Sequence, residues 1–261
     1  MTCKITSNQN ALVTGAGRRI GRAIAMSLAA AEWHVGVHYF HSSDDAETVV
    51  DEIQSLGGRA VAIGTDLGAV GASSELIAVA VEQMGPLTCL VNNASVFERD
   101  TVSTATRATW DQHMDVNLRA PFELAQAFVH QLPDAVEANI INIIDQRVWN
   151  LTPDFTTYTL SKAGLWGLTQ ILARALAPQV RVNGVGPGPT LQSVHQSEEA
   201  FTNEWSSMPL KRQVSPEEIA AAVRFILEAP AMTGQMIAID AGQHMGMSPT
   251  PLDLTSDDVP T

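Results

Sequence analysis

The sequence is short of cysteine and of positive charge. Cys3 and Cys89 are its only cysteines in 261 residues, which excludes a disulfide framework, and neither has partners at metal-ligand spacing, so no metal is expected. A reducing cytoplasm is the expected location. Fifteen Lys and Arg stand against 28 Asp and Glu, for a formal net charge of −13. That sign is wrong for gripping a nucleic-acid backbone, so any anionic ligand has to be held by local basic groups and backbone dipoles. Apolar runs long enough to span a membrane are missing. The opening MTCKITSNQN is polar and shows no pattern of a removable leader.

What is present is an ordinary globular composition, 45% hydrophobic and 16% charged. Short apolar runs alternate with longer segments of helical spacing: ALVT, HVGVHY, AVAIGTD, LTCLVNNA, ANIINIID, VRVNGVG and MIAIDA read as seven strands. Segments such as IGRAIAMSLAAAEW between them read as helices. This alternation predicts an α/β fold, a single-domain doubly wound parallel sheet flanked by helices over residues 1–247. Ligands on such a sheet sit beyond the carboxyl ends of the strands. Residues 188–210 read as an irregular lid, and Ser215 with Glu218 as a capping box that restarts helix. The tail 248–261, acidic and proline-rich, has too few apolar residues to pack on its own.

The loop TGAGRRIG, Thr14 to Gly21, follows the first strand and opens the first helix. Free N–H groups and the helix dipole there favour a phosphate, and Gly15 and Gly21 allow the tight turn. The second strand ends HYFHSS, His38 to Ser43, with no carboxylate at the place where an NAD enzyme holds the ribose 2′-hydroxyl. Arg18, His41 and Ser42 offer donors there instead, which favours NADPH. Asp66, ending the third strand, either bonds an adenine amino group or caps the next turn.

Tyr158 and Lys162 are four apart and share a helix face. An ammonium near a phenol favours the phenolate and lowers the tyrosine pKa toward that of a useful proton donor. Asp145 ends the fifth strand, within reach of that tyrosine. Asn117 lies inside a predicted helix, where asparagine has poor propensity. Asn92 and Asn93 end the fourth strand, and their amides can hold neighbouring strands or a ribose.

Taken together, the glycine loop, NNAS, Asn117, the YxxxK pair and the aspartate at a strand end resemble the short-chain dehydrogenase/reductase family along nearly the whole chain. Arg19 in place of a loop glycine, Asp145 in place of the usual serine, Phe97 after NNAS and the run VRVNGVGPGP look like its pteridine reductase branch. The resemblance implies a Rossmann-like fold and NADPH held by Gly15, Arg18, Arg19, Ile20, His38, His41, Ser42, Asp66, Leu67, Asn93, Ala94, Lys162 and Pro187. It implies substrate contacts from Arg19, Ser95, Phe97, Asp145 and Tyr158. Catalysis would rest on Tyr158 as proton donor, Lys162 on the ribose, Asn117 supporting a water relay, and Asp145. The expected reaction is reduction of a dihydropterin or dihydrofolate ring, and the expected assembly a homotetramer. A ketoacyl or sugar ketone reductase and a non-catalytic dinucleotide sensor are the alternatives.

Overall fold

The computed structural model describes residues 9–193 and 196–246, so Cys3 and the tail 248–261 lie outside the described residues. All seven expected strands form: β1 (Asn10–Val13), β2 (His34–Tyr39), β3 (Arg59–Gly64), β4 (Cys89–Asn92), β5 (Ala138–Ile143), β6 (Val180–Pro187) and β7 (Met236–Ile239). They make one parallel sheet in the order β3-β2-β1-β4-β5-β6-β7. The order reverses between β1 and β4, which opens a crevice at their carboxyl ends.

Side chains alternate across the sheet with the strand period of two. Ala11 and Val13 join a buried cluster on one face with Ile24, Leu28 and Val223. These come from α1 (Arg19–Ala30) and the later helix Pro216–Glu228, and α2 (Ser43–Ser55) adds its Val49 and Ile53 to the same cluster. Leu12 faces the other way, into a cluster with Leu76, Leu124, Phe128 and Leu172. That layer is built by α3 (Ala72–Met84), α5 (Ala120–His130) and α6 (Thr156–Ala175), with α4 (Arg107–Met114) leading into it. Each such side chain, fully removed from water, contributes about 1.5–3 kcal/mol.

Two departures from regularity bear on the site. The segment Asp115–Arg119 is a π-helical turn joining α4 to α5, and it carries Asn117. Poor helical propensity there marked a real irregularity, of the kind that π-bulges place at functional positions. The lid expected to be irregular over 188–210 contains a helix, α7 (Glu198–Ser206), whose cap Ser197 accepts from Ala200 N–H. The final helix, α8 (Pro216–Glu228), begins with the expected Ser215 and Glu218 capping box.

Candidate active site

A cleft of about 1110 Å³ lies over the carboxyl ends of the strands. Its floor is set by the join between β1 and β4. Thr14 Oγ1 accepts from the N–H groups of Asn93 and Ala94, both at 2.9 Å, and Asn93 Nδ2 donates to Thr14 O and Gly15 O. Asn92 Nδ2 donates to Asn142 Oδ1 at 2.8 Å, tying β4 to β5. These amides hold strands together, the first of the two uses expected of them.

The glycine loop is packed to the limit. A Cβ on Gly21 would lie 2.2 Å from Gly15 O and 2.5 Å from Asn93 Nδ2, and Gly15 has φ of 62°. No larger residue fits at 21. The N-cap residue of α1, Arg18, makes no side-chain cap bond, so the orphan N–H groups of that helix start are unsatisfied by a side chain. A cradle without side chains and an uncapped helix end suit a phosphate.

Arg19 sits at φ of 53°, the left-handed region that favours glycine. Holding a branched-out residue there costs about 1–3 kcal/mol. Its guanidinium donates to Leu191 O at 2.9 Å and Gln192 O at 3.0 Å, so it clasps the segment after β6. Arg19 also lines the cleft, where it was expected beside the cofactor and substrate. Arg18, expected at the cofactor, lines the cleft and has a partner within the protein. It forms an ion pair with Asp45 in the first turn of α2, so a carboxylate does stand near the end of β2.

His38 lines the cleft but is not a free donor. It is buried, accepts from Gly15 N–H through Nδ1 at 3.0 Å and faces Thr65 O with Nε2 at 3.0 Å. Burial pushes its pKa down to about 4, so it is a neutral strut under the loop. His41, Ile20, Leu67, Ala94 and Pro187 also line the cleft. Ser42 is the N-cap residue of α2 without a side-chain cap bond, and it is not among the lining residues. Asp66 Oδ1 accepts from Gly68 N–H at 2.9 Å, a turn cap, and the residue lines the cleft.

At the other end, α6 presents Tyr158 and Lys162 on one face. Tyr158 donates through its hydroxyl to Asp145 Oδ2 at 2.9 Å, and Asp145 Oδ1 accepts from Arg147 N–H at 2.7 Å. Lys162 Nζ donates to Ile143 O at 2.9 Å and lies 5.8 Å from the centre of the Tyr158 ring. Burial lowers the Lys162 pKa to about 8. Tyr158 goes the opposite way from the expectation: burial first, then the Asp145 carboxylate, raise it well above 10. Asp145 is itself raised by burial, against the pull of the Arg147 N–H. Two buried acids in contact therefore both favour their protonated forms.

Asn117 is fully used by the protein. Its Oδ1 accepts from Val96 N–H at 2.8 Å and Ser95 Oγ at 3.2 Å, while Nδ2 donates to Val96 O and Ser161 Oγ. These contacts hold its side-chain amide within the protein. What it does is fix the strand end that carries Phe97. Phe97 stacks on Phe155 at 4.4 Å and meets Tyr158 edge-on at 4.7 Å, forming an aromatic wall beside the acid pair. Phe155, Arg147, Glu204 and Gln243 line the cleft too, and sequence gave no signal for them because they reach it from scattered loops and from α7. Of the lid residues, Leu191 lines the cleft, whereas Met208 and Trp205 pack into the core.

A family model described as enoyl-(acyl carrier protein) reductase matches residues 15–244. The 3-oxoacyl-[acyl-carrier-protein] reductase FabG of Staphylococcus epidermidis is 34% identical over 243 residues, 91% of this chain and 100% of its own. The chain belongs to the short-chain dehydrogenase/reductase family. Among solved structures, FolM alternative dihydrofolate reductase 1 from Brucella suis, in complex with NADP, superimposes with a TM-score of 0.89 at 43% identity, covering 94% of this chain and 98% of that one. The angucycline C-6 ketoreductase LanV with bound NADP gives 0.86 at 32% identity, over 91% and 96%. The chain is an oxidoreductase.

Proposed function

We propose that this NADPH-dependent oxidoreductase reduces the ring C=N of a dihydropterin or dihydrofolate. The observation that carries the reading is the 2.9 Å contact between the Tyr158 hydroxyl and the Asp145 carboxyl. A ketone needs only a donor to its oxygen, a part that a lone hydroxyl can play beside the tyrosine. A ring C=N instead takes hydride on carbon and needs a proton on nitrogen, which a tyrosine backed by a second acid can supply. The 43% identity to a protein described as an alternative dihydrofolate reductase supports the same reading.

The uncapped start of α1, the Gly15 and Gly21 cradle and Lys162 would hold NADPH, with Arg18 and His41 toward its 2′-phosphate. When bound, it supplies the hydride. Phe97 and Phe155 provide a flat apolar wall for a planar ring. The raised pKa of Tyr158 keeps its proton in place until the ring nitrogen takes it. Asp145, also held toward its protonated form, then returns one. Lys162 holds positive charge beneath the phenol.

The test is NADPH oxidation followed at about 340 nm with dihydrobiopterin, dihydrofolate and an acetoacetyl ester in parallel, with NADH controls. Turnover of the pterins is expected. A ketoester turned over alone would favour the rival reading, a carbonyl reductase like the FabG relative.

Asp45 sets a further expectation. A 2′-phosphate has to compete with it for Arg18. Asp45→Asn is expected to tighten NADPH binding about two- to fivefold, the range for an exposed pair, and to leave NADH unchanged. Fluorescence titration checks this.

Homotetramer formation in the cytoplasm belongs to the same proposal. Phe122 on α5 with Leu160 and Ile171 on α6 expose large apolar side chains, a surface suited to burial against another copy. Buried free Cys89 suits a reducing compartment. Light scattering should give about four times the chain's 27.9 kDa; a monomer mass would contradict the tetramer.

A further inference from the structure

Behind the aromatic wall runs a buried polar chain that the reduction chemistry leaves unused. Asp100 is 2% exposed and His113 0%. Asp100 Oδ1 accepts from Thr157 N–H at 3.1 Å, a cap on the first turn of α6 supplied from a distant loop, since Phe155 at the N-cap makes no side-chain cap bond. Thr157 Oγ1 donates to Asp100 Oδ2. That hydroxyl proton being spent, the contact of 2.7 Å between Thr157 Oγ1 and His113 Nδ1 has Nδ1–H as donor. His113 Nε2 is then a lone-pair acceptor, and it receives Glu98 N–H at 3.1 Å.

The residue between the two anchored backbones is Phe97. Asn117 grips Val96 on one side through both N–H and C=O, and His113 grips Glu98 on the other. The chain also closes back on the wall, because Asp100 O accepts from Phe155 N–H at 2.8 Å. We propose that His113 is a positioning residue for substrate binding, holding Phe97 against Phe155 and Tyr158 through its Nε2 acceptor.

The arrangement works only with neutral imidazole. A protonated His113 would point an N–H at the Glu98 N–H and release it. Burial, then the charge of Lys162, keep His113 below its ordinary 6.5, while Asp100 and Glu98 pull the other way. Thr109, one turn earlier on α4, adds a backbone contact that also favours charge. Thr157 and Tyr158 are the other α6 groups facing the ring. Acid should therefore loosen the wall and raise KM for the ring substrate, with kcat much less affected.

The inference rests on the pterin reading for the choice of assay substrate. KM and kcat for dihydrobiopterin are measured from pH 5 to 8, on the order of the imidazole range, in wild type, His113→Leu and His113→Gln, with NADPH affinity titrated in each. His113→Leu should raise KM about three- to tenfold at every pH, the scale of one lost hydrogen bond, and leave kcat within about twofold. His113→Gln keeps an acceptor without a titration, so it should recover part of KM and lose the acid rise. NADPH affinity should be equal in all three. An unchanged KM in folded His113→Leu, or a joint loss of kcat and NADPH affinity, would overturn the proposal. Should His113→Leu fail to fold, an acid rise of KM persisting in His113→Gln would overturn it equally. Wild type inert toward every pterin would instead remove the pterin reading, and the same comparison would be run on the ketone it does reduce.

Discussion

Tyr158→Phe is expected to lower kcat by about 10²–10⁴-fold, the span for a positioned proton donor. The ring stays, so the edge contact with Phe97 at 4.7 Å survives and substrate affinity should change little. Only the hydroxyl goes, and with it the proton that the ring nitrogen takes. The substitution also frees Asp145 Oδ2 of its one hydrogen bond from Tyr158, leaving a buried carboxyl supported on the Arg147 side alone. Stopped-flow titration with NADPH should show binding intact while steady-state oxidation collapses. Turnover within a few-fold of wild type would remove Tyr158 from the chemistry.

Asp145→Asn is expected to cost turnover about 10²-fold and to change the pH profile. An amide keeps the shape and still accepts from Tyr158, but it has no acid proton to return. In wild type that proton is lost as pH rises through the Asp145 pKa, which burial holds above 3.8, so kcat should fall on that side. The variant should show no such limb. Stability moves with it. A carboxyl whose pKa is higher folded than unfolded binds more protons folded, so its contribution is present at low pH and declines as pH rises through the window above 3.8. Asparagine carries no such charge. The variant should therefore melt higher than wild type at neutral pH while being far slower, and differential scanning calorimetry with a pH series of kcat checks both signs.

Much of this site was legible because its parts report locally. The strands announced themselves by length and alternation, Tyr158 and Lys162 by a four-residue spacing, and Asn117 by sitting badly in a helix that turned out to be a π-turn. Asp45 escaped notice because it belongs to α2 by its favourable place in the first turn, and only the fold swings it back to Arg18. His113 escaped for the same reason: on α4 it reads as one polar residue in a mixed helix, and its partner Thr157 lies 44 residues further on. The helix Glu198–Ser206 was hidden in a segment rich in serine and glutamine, with Phe201 as its only buried residue. The direction of the Tyr158 shift could not be read from a nearby lysine, since burial and then the Asp145 carboxylate raise it, and burial is a property of the packed core.

The most direct test of the pterin assignment is the ratio of kcat/KM for dihydrobiopterin to that for an acetoacetyl ester, measured in wild type and in Asp145→Ser. Serine removes the second acid behind Tyr158 and leaves a hydroxyl that can hold a carbonyl oxygen. A wild-type ratio above one that falls at least tenfold in Asp145→Ser is the expected result, tenfold being about 1.4 kcal/mol of transition-state preference. A ratio below one in wild type, unmoved by the substitution, would contradict it and leave a ketone reductase.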